Sequence, residues 1–210
     1  MSRRIRPYDL FKRIADVLVG GAVLLVSLPL QLVIVVVVAV DLGRPVIFRQ
    51  PRPGLGGRTF TLMKFRTMRE PDPSRGLVTD ADRLTRLGRL LRSTSLDELP
   101  SLWNVLKGDM SLVGPRPLLV EYLPRYTSAQ ARRHEVRPGI TGLAQVSGRN
   151  ALTWQDRFAL DVHYVDHRSA ALDLKIIAAT VRAVVQREGI SAEGEATMSK
   201  FLGDDDRSTP

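Results

Sequence analysis

Adjacent carboxylates at Asp97 and Glu98 are the pair in this sequence whose type and spacing point most directly to chemistry. One can attack as a nucleophile while the other holds a divalent cation. A purely structural reading competes, because Ser95-x-x-Glu98 matches a capping box in which both side chains only satisfy free amides at a helix start. Pro100 would then fall inside that helix and remove its bond to Leu96, so the helix is expected to begin later. Asp97 is then at or just before a helix N-terminus, where the dipole keeps a carboxylate ionised and favours phosphate binding. Upstream, alternation puts Lys64 and Arg66 on one face of a strand, two cations able to grip a phosphate. A solvated edge strand protected by charge would show the same pattern.

These groups need elements to hold them. Val46–Arg49 and Thr59–Met63 bracket a turn-rich connection of Pro and Gly residues, which predicts a short hairpin leading into Lys64. From Asp80, Leu84, Leu87 and Leu91 recur at helical spacing with Arg83, Arg86, Arg89 and Arg92 between them, a basic amphipathic helix. The stretch around Gly139, Gly142 and Gly148 contains neither a P-loop nor a dinucleotide fingerprint and reads as a tight loop presenting Arg137 and Arg149. Trp154, Phe158 and Leu160 fit one helix, and Leu172, Ile176, Ala179 and Ala183 a later one ending near Gly189.

The longest apolar run, Val17 to Val40, has no charge and is long enough for a membrane segment. Pro29 breaks it near the middle, and both flanks are basic, with Arg3, Arg4, Arg6, Lys12 and Arg13 before it and Arg44, Arg49, Arg52 and Arg58 after. A spanning helix would place one basic flank outside, against the positive-inside tendency. A re-entrant hairpin keeps both inside, its arms each about 16 Å long, with Ser27 able to meet backbone groups freed at the bend. A signal anchor or a buried Val-rich strand are the plainer alternatives.

At 210 residues the chain is about one domain long. Its net charge of +9 is concentrated towards the N-terminus, and 44% of its residues are hydrophobic, enough for a folded core. The chain has no Cys, which removes disulfides, thiolate zinc sites and cysteine nucleophiles. His163-x-x-x-His167 has the spacing of a helical zinc pair but no evident third ligand, so surface histidines are the plainer reading. Only 6% of residues are aromatic, and the cations are interleaved with Asp97-Glu98, which argues against nucleic acid as a partner. A membrane-anchored basic module that binds lipid or polyanions without catalysis stays open.

Several separate segments carry a resemblance. Lys64-Phe65-Arg66-Thr67-Met68, Ser95–Pro100, Trp103–Ser111, Gly114-Pro115-Arg116-Pro117, Arg137–Gly142 and Ser147-Gly148-Arg149-Asn150 resemble, in order, the bacterial sugar transferase family of monotopic phosphoglycosyl transferases. The likeness runs from about residue 8 to residue 203. It implies transfer of a sugar 1-phosphate from a UDP-sugar to undecaprenyl phosphate, with release of UMP, at the cytoplasmic face of a bacterial inner membrane. Downstream glycosyltransferases are then possible partners. By this resemblance Asp97 is the nucleophile that forms a phosphosugar intermediate, and Glu98 is the ligand of Mg²⁺. Lys64, Arg92, Arg116 and Arg149 match basic positions of the family site, and Asp173 a further acidic one. The family's Ser-Pro bend matches Ser27 and Pro29, with Leu28 inserted between them. The ending, Gly189-Ile190-Ser191 through Glu193-Gly194 to Gly203, is similar to members acting on bacillosamine-type sugars.

The expected fold is α+β and mainly α, with a re-entrant membrane helix, a small hairpin and amphipathic helices around the site. Residues 1–44 form the membrane helix and its flanks, 45–203 the catalytic core and 204–210 a disordered tail.

Overall fold

The computed structural model describes residues 6–148, 152–186 and 200–203. Arg149, the Gly189–Gly194 stretch and the 204–210 tail therefore lie outside the described residues. The described chain is mainly helical with two small sheets.

Helix α1, Pro7–Leu42, opens with Pro7 in its first turn, where the missing N–H costs nothing, and Asp9 accepts from the Arg6 amide at 3.0 Å. It ends at Gly43, whose φ of 72° suits glycine. The helix is apolar and long enough to cross a membrane by length and composition. It is continuous across Pro29 rather than split into two arms. Pro29 leaves the Leu25 carbonyl without its usual amide. Close by, Ser27 Oγ donates to Leu24 O at 3.1 Å and accepts from Gln31 Nε2 at 2.9 Å, a local polar pair in an otherwise apolar stretch. No residue from Gly21 to Leu30 is buried, whereas Asp16 and Gly20 before this stretch, and Ile34 and Val38 after it, pack on the rest of the protein.

Strands β1, Ile47–Pro53, and β2, Thr59–Phe65, form the expected antiparallel hairpin, longer than its apolar pattern suggested, with Phe48 opposite Lys64. The predicted amphipathic helix is interrupted. Helix α2, Asp80–Arg83, stops at Leu84, which bridges to Met68, and Thr85 starts α3, Arg86–Ser93, by accepting from the Gly88 amide at 2.9 Å. Helix α4, Ser101–Lys107, begins after Pro100 as the proline argument requires. Strand β3, Ser111–Val113, and β4, Gly139–Thr141, pair in parallel, an element the glycine-rich reading took for a loop. Three glycines make the approach possible: a Cβ on Gly114, Gly139 or Gly142 would sit 2.5, 2.1 or 2.2 Å from backbone atoms of the facing segment.

Short helices α5, Ser128–Ala131, and α6, Leu143–Ser147, lead to α7, Trp154–His167, and α8, Ala170–Gln186. Phe158 packs with Leu118, Tyr122, Phe201 and Trp154, so this aromatic group is core. Ile34 and Val38 of α1 bury against Phe65 and Leu91.

Candidate active site

Asp97 lies in a single 3₁₀ turn, Leu96–Glu98, between α3 and α4. The turn is set by Ser95, the one non-glycine residue with positive φ (56°) among those described. Ser95 makes no side-chain cap bond, so the capping-box reading fails and the turn presents two adjacent carboxylates instead. Asp97 is 8% exposed.

Lys64 is brought to this turn by the hairpin. Asn104, fully buried on α4, donates to Thr61 O at 2.8 Å and accepts from Met63 N at 3.2 Å, and Ser101 Oγ donates to Met63 O at 2.7 Å. These bonds fix β2 against α4 one residue before Lys64, whose Nζ pairs closely with Glu98 Oε1. Arg116 Nη1 reaches the same oxygen at 3.3 Å. The Arg116 segment is itself held by the β3–β4 approach: Gly139 N donates to Pro115 O at 3.0 Å, and Arg133 Nη2 donates to Arg116 O at 2.7 Å. Arg92 is placed by a near-contact of backbones. A Cβ on Gly88 would lie 2.0 Å from Thr67 O, and this closeness lets Arg92 Nε donate to Thr67 Oγ1 at 3.1 Å.

The electrostatics divide the two acids. Burial, then the neighbouring Glu98, raise Asp97 to about 6, against the pull of Lys64, Arg92 and Arg116. Burial would also raise Glu98, but Lys64 and Arg116 outweigh it and hold that carboxyl down to about 2. Asp97 is thus the more basic and, once ionised, the better nucleophile, and Glu98 stays an anion between two cations.

The structure gathers Lys64, Arg92, Arg116, Asp97 and Glu98 into one site. Three other residues expected there have different work. Arg66 lies just past the end of β2, and its Nη2 donates to Leu42 O and, at 2.7 Å, to Gly43 O, closing the C-terminus of α1. Arg137 donates through Nε to Gly108 O at 2.8 Å, while Arg13 serves Val105 O and Leu106 O, so both cations satisfy carbonyls at the end of α4. Asp173 accepts from Tyr8 Oη at 2.7 Å, Lys12 Nζ at 2.5 Å and Tyr164 Oη at 2.8 Å, which ties the start of α1 to α7 and α8. The sequence reading gave Asn104 and Ser101 no separate role. A polar pair among the apolar Leu102, Val105 and Leu106 of one short helix was the available signal.

Residues 7–187 match the family model described as bacterial sugar transferase. The chain belongs to the bacterial sugar transferase family. It is 53% identical over 201 residues to the uncharacterized sugar transferase EpsL of Bacillus subtilis, covering 95% of this chain and all of that protein. It is 42% identical to a UDP-glucose:undecaprenyl-phosphate glucose-1-phosphate transferase of Caulobacter vibrioides, over 84% of this chain and 70% of that one. With a UDP-galactose-lipid carrier transferase of Erwinia amylovora the identity is 37%, over 85% of this chain and 41% of the relative. The sugars named for these relatives differ, so family membership leaves the donor sugar open.

Proposed function

We propose that this sugar transferase moves a sugar 1-phosphate from a UDP-sugar to undecaprenyl phosphate. The observation that carries the reading is the division of labour at the turn: a buried, raised Asp97 beside a Glu98 clamped by Lys64 and Arg116. The names of the Caulobacter and Erwinia relatives support the substrate classes.

In the first half-reaction an Asp97 Oδ attacks the β-phosphorus of the donor. A carboxylate–phosphorus bond forms, the bond to the bridging oxygen breaks, and UMP leaves with that electron pair. In the second, a phosphate oxygen of the lipid attacks the same phosphorus, the sugar phosphate moves to the lipid and Asp97 is released as carboxylate. Lys64, Arg92 and Arg116 offset the charge that gathers on the phosphoryl oxygens. Without a proton to remove from either attacking group, the site needs no general base.

The acidic pair at this turn would suit a Mg²⁺ ion that takes one or two protein carboxylates. Among the described residues no three acidic or imidazole groups cluster to cage a metal, and Mg²⁺ typically takes only one or two carboxylates beside substrate phosphates. Glu98 would hold it, with Asp97 adjacent, and its charge would neutralise the departing phosphate.

The same reading puts the protein at the cytoplasmic face of a bacterial inner membrane as a monotopic protein. Both ends of α1 are held by one folded unit, through Arg6, Tyr8 and Lys12 to α7 and α8 at the start and through Arg66 at the end. Its middle is apolar and unburied. A re-entrant course with its bend near Ser27 and Pro29 satisfies both facts.

The test is UMP release from UDP-glucose, UDP-galactose and a UDP-bacillosamine-type sugar, in nanodiscs with Mg²⁺, with and without undecaprenyl phosphate. Acceptor-dependent turnover by the wild type and none by Asp97→Asn is the expected result. Folded wild-type protein that releases no UMP but binds anionic lipid would instead favour a non-catalytic lipid-binding module.

A further inference from the structure

Asp16 is the last charged residue of α1 before the uncharged run Val17 to Val40, and it is 5% exposed. Its Oδ1 accepts from the Leu112 amide, in the middle of β3, at 3.1 Å and lies 3.7 Å from Lys12 Nζ. The preceding amide, Ser111 N, is taken by Pro138 O beside β4 at 2.9 Å. Alternation along the strand turns Leu112 N to the opposite edge, where Asp16 is its acceptor.

Three residues earlier on the same face of α1, Arg13 donates to Val105 O at 2.6 Å and Leu106 O at 2.9 Å, at the end of α4. One turn after Asp16, Gly20 brings the helix close: a Cβ there would lie 3.3 Å from Val105 Cγ1 and 3.9 Å from Leu112 Cδ2. Arg13, Asp16 and Gly20 thus form one stripe that seats α1 on α4 and β3 together. These two elements carry different halves of the site. Helix α4 follows the Asp97–Glu98 turn, and Ser101 and Asn104 fix it to β2 beside Lys64. Strand β3 runs into Gly114-Pro115-Arg116-Pro117, and Arg116 Nη1 reaches Glu98 Oε1 at 3.3 Å. A shift of β3 has little room to dissipate before Arg116. Gly114 N is held by Thr141 O at 2.9 Å, a Cβ on Gly114 would lie 2.5 Å from Arg137 O, and the prolines on both sides of Arg116 have fixed φ.

We propose that Asp16 is a positioning residue for Arg116. Through the Leu112 amide it holds β3 against α1, while Arg13 holds α4 against the same helix, and together they fix the reach from Arg116 to Glu98. The base of the apolar helix is then part of the scaffold of the catalytic centre as well as its anchor. Loss of the acceptor leaves an amide that β3 must shift to satisfy, and Arg116 moves with it. The inference rests on the transferase reading for its kinetic readout. Arg116 meets charge that gathers during transfer, so its misplacement lowers kcat more than it raises KM.

The full chain in nanodiscs is assayed for UMP release with Mg²⁺, undecaprenyl phosphate and whichever of UDP-glucose, UDP-galactose or a UDP-bacillosamine-type sugar turns over fastest. Asp16→Leu removes the acceptor, and kcat is expected to fall about ten- to a hundred-fold, the scale of an ångström-sized misplacement, with KM within about three-fold. Asp16→Asn keeps an oxygen for Leu112 N without the charge and is expected to recover kcat to within about three-fold of wild type. In an Arg116→Ala background, Asp16→Leu should lower kcat by no more than about two-fold further, since the group it positions is gone. Asp173→Ala loosens the same end of α1 while leaving the Leu112 bond, and serves as the control for stability. Unchanged kcat in Asp16→Leu, an equal loss in Asp16→Asn, or losses that multiply in the double variant overturn the proposal. Asp16→Ser, whose oxygen sits one bond short, takes the place of Asp16→Leu should that variant not fold. Hydrogen exchange on peptides spanning residues 111–118 gives a second readout that needs no turnover, with faster exchange expected in Asp16→Leu and not in Asp173→Ala. That pattern in a protein releasing no UMP would fault the transferase reading and leave the positioning by Asp16 standing. Unchanged exchange in Asp16→Leu overturns the proposal in either case.

Discussion

Asp173→Ala distinguishes a structural carboxylate from a substrate ligand. The substitution removes the acceptor of Tyr8 Oη, Lys12 Nζ and Tyr164 Oη at once. The Lys12 side chain is 12% exposed and would keep only Asp16, at 3.7 Å. Removing one partner of a buried ion pair costs about 3–5 kcal/mol, and the remaining Asp16 contact points to the lower end. A chain of this size loses roughly 2–4 °C of Tm per kcal/mol, so the midpoint should fall by about 6–12 °C. Intrinsic fluorescence of Trp103 and Trp154 in nanodiscs would follow the melt. Well below the variant's midpoint, KM for the UDP-sugar should stay within about two-fold of wild type, since Asp173 bonds none of the groups at the catalytic turn. An unchanged midpoint with KM raised about ten-fold would refute this reasoning and make Asp173 a substrate ligand.

Three further outcomes are expected. Arg66→Ala should destabilise the protein by about 2–3 kcal/mol in thermal melts, because the carbonyls closing α1 lose a charged donor, and should leave donor KM unchanged; a raised KM with normal stability would return Arg66 to the site. Gly88→Ala should lower kcat/KM at least about ten-fold, because α3 must move off Thr67 O and carry Arg92 with it; wild-type kinetics would show that Arg92 does not depend on that packing. His134 is held down to about 4, by burial first and then by Arg133. It is neutral when folded and protonates near 6.5 when unfolded, so its stabilisation is complete above pH 6.5 and fades as pH falls towards 4. Unfolding free energies from denaturant titrations at pH 7 and pH 4.5 should therefore differ by about 2–3 kcal/mol more in wild type than in His134→Gln; an equal difference would contradict it.

Local features were legible in the sequence where local rules decide them. Pro100 correctly delayed α4 and left Asp97 on the turn before it, and the Pro- and Gly-rich link between apolar runs marked the hairpin. Lys64, Arg92 and Arg116 lie about that turn. Arg66, Arg137 and Asp173 make bonds that the sequence did not show, for one physical reason. Their partners include main-chain carbonyls 23 and 29 residues away and a side chain 165 residues away, and sequence shows a charge but not which distant group needs it. Strands β3 and β4 escaped because three residues each carry no periodicity, and only the steric demand at Gly114, Gly139 and Gly142 reveals their approach. Thr85 split the Asp80 helix because its side chain caps a new start more favourably than it continues the old one.

In the proposed reaction Asp97 itself carries the sugar phosphate between donor and lipid. Wild-type protein and Asp97→Asn should be incubated with Mg²⁺ and the preferred UDP-sugar without lipid acceptor, quenched rapidly, and read by intact mass and peptide mapping. One sugar-phosphate adduct is expected on the wild type, mapped to Asp97, discharged by undecaprenyl phosphate and absent from the variant. UMP release that needs undecaprenyl phosphate to be present, with no adduct at any time, or an adduct that persists in Asp97→Asn, would contradict it.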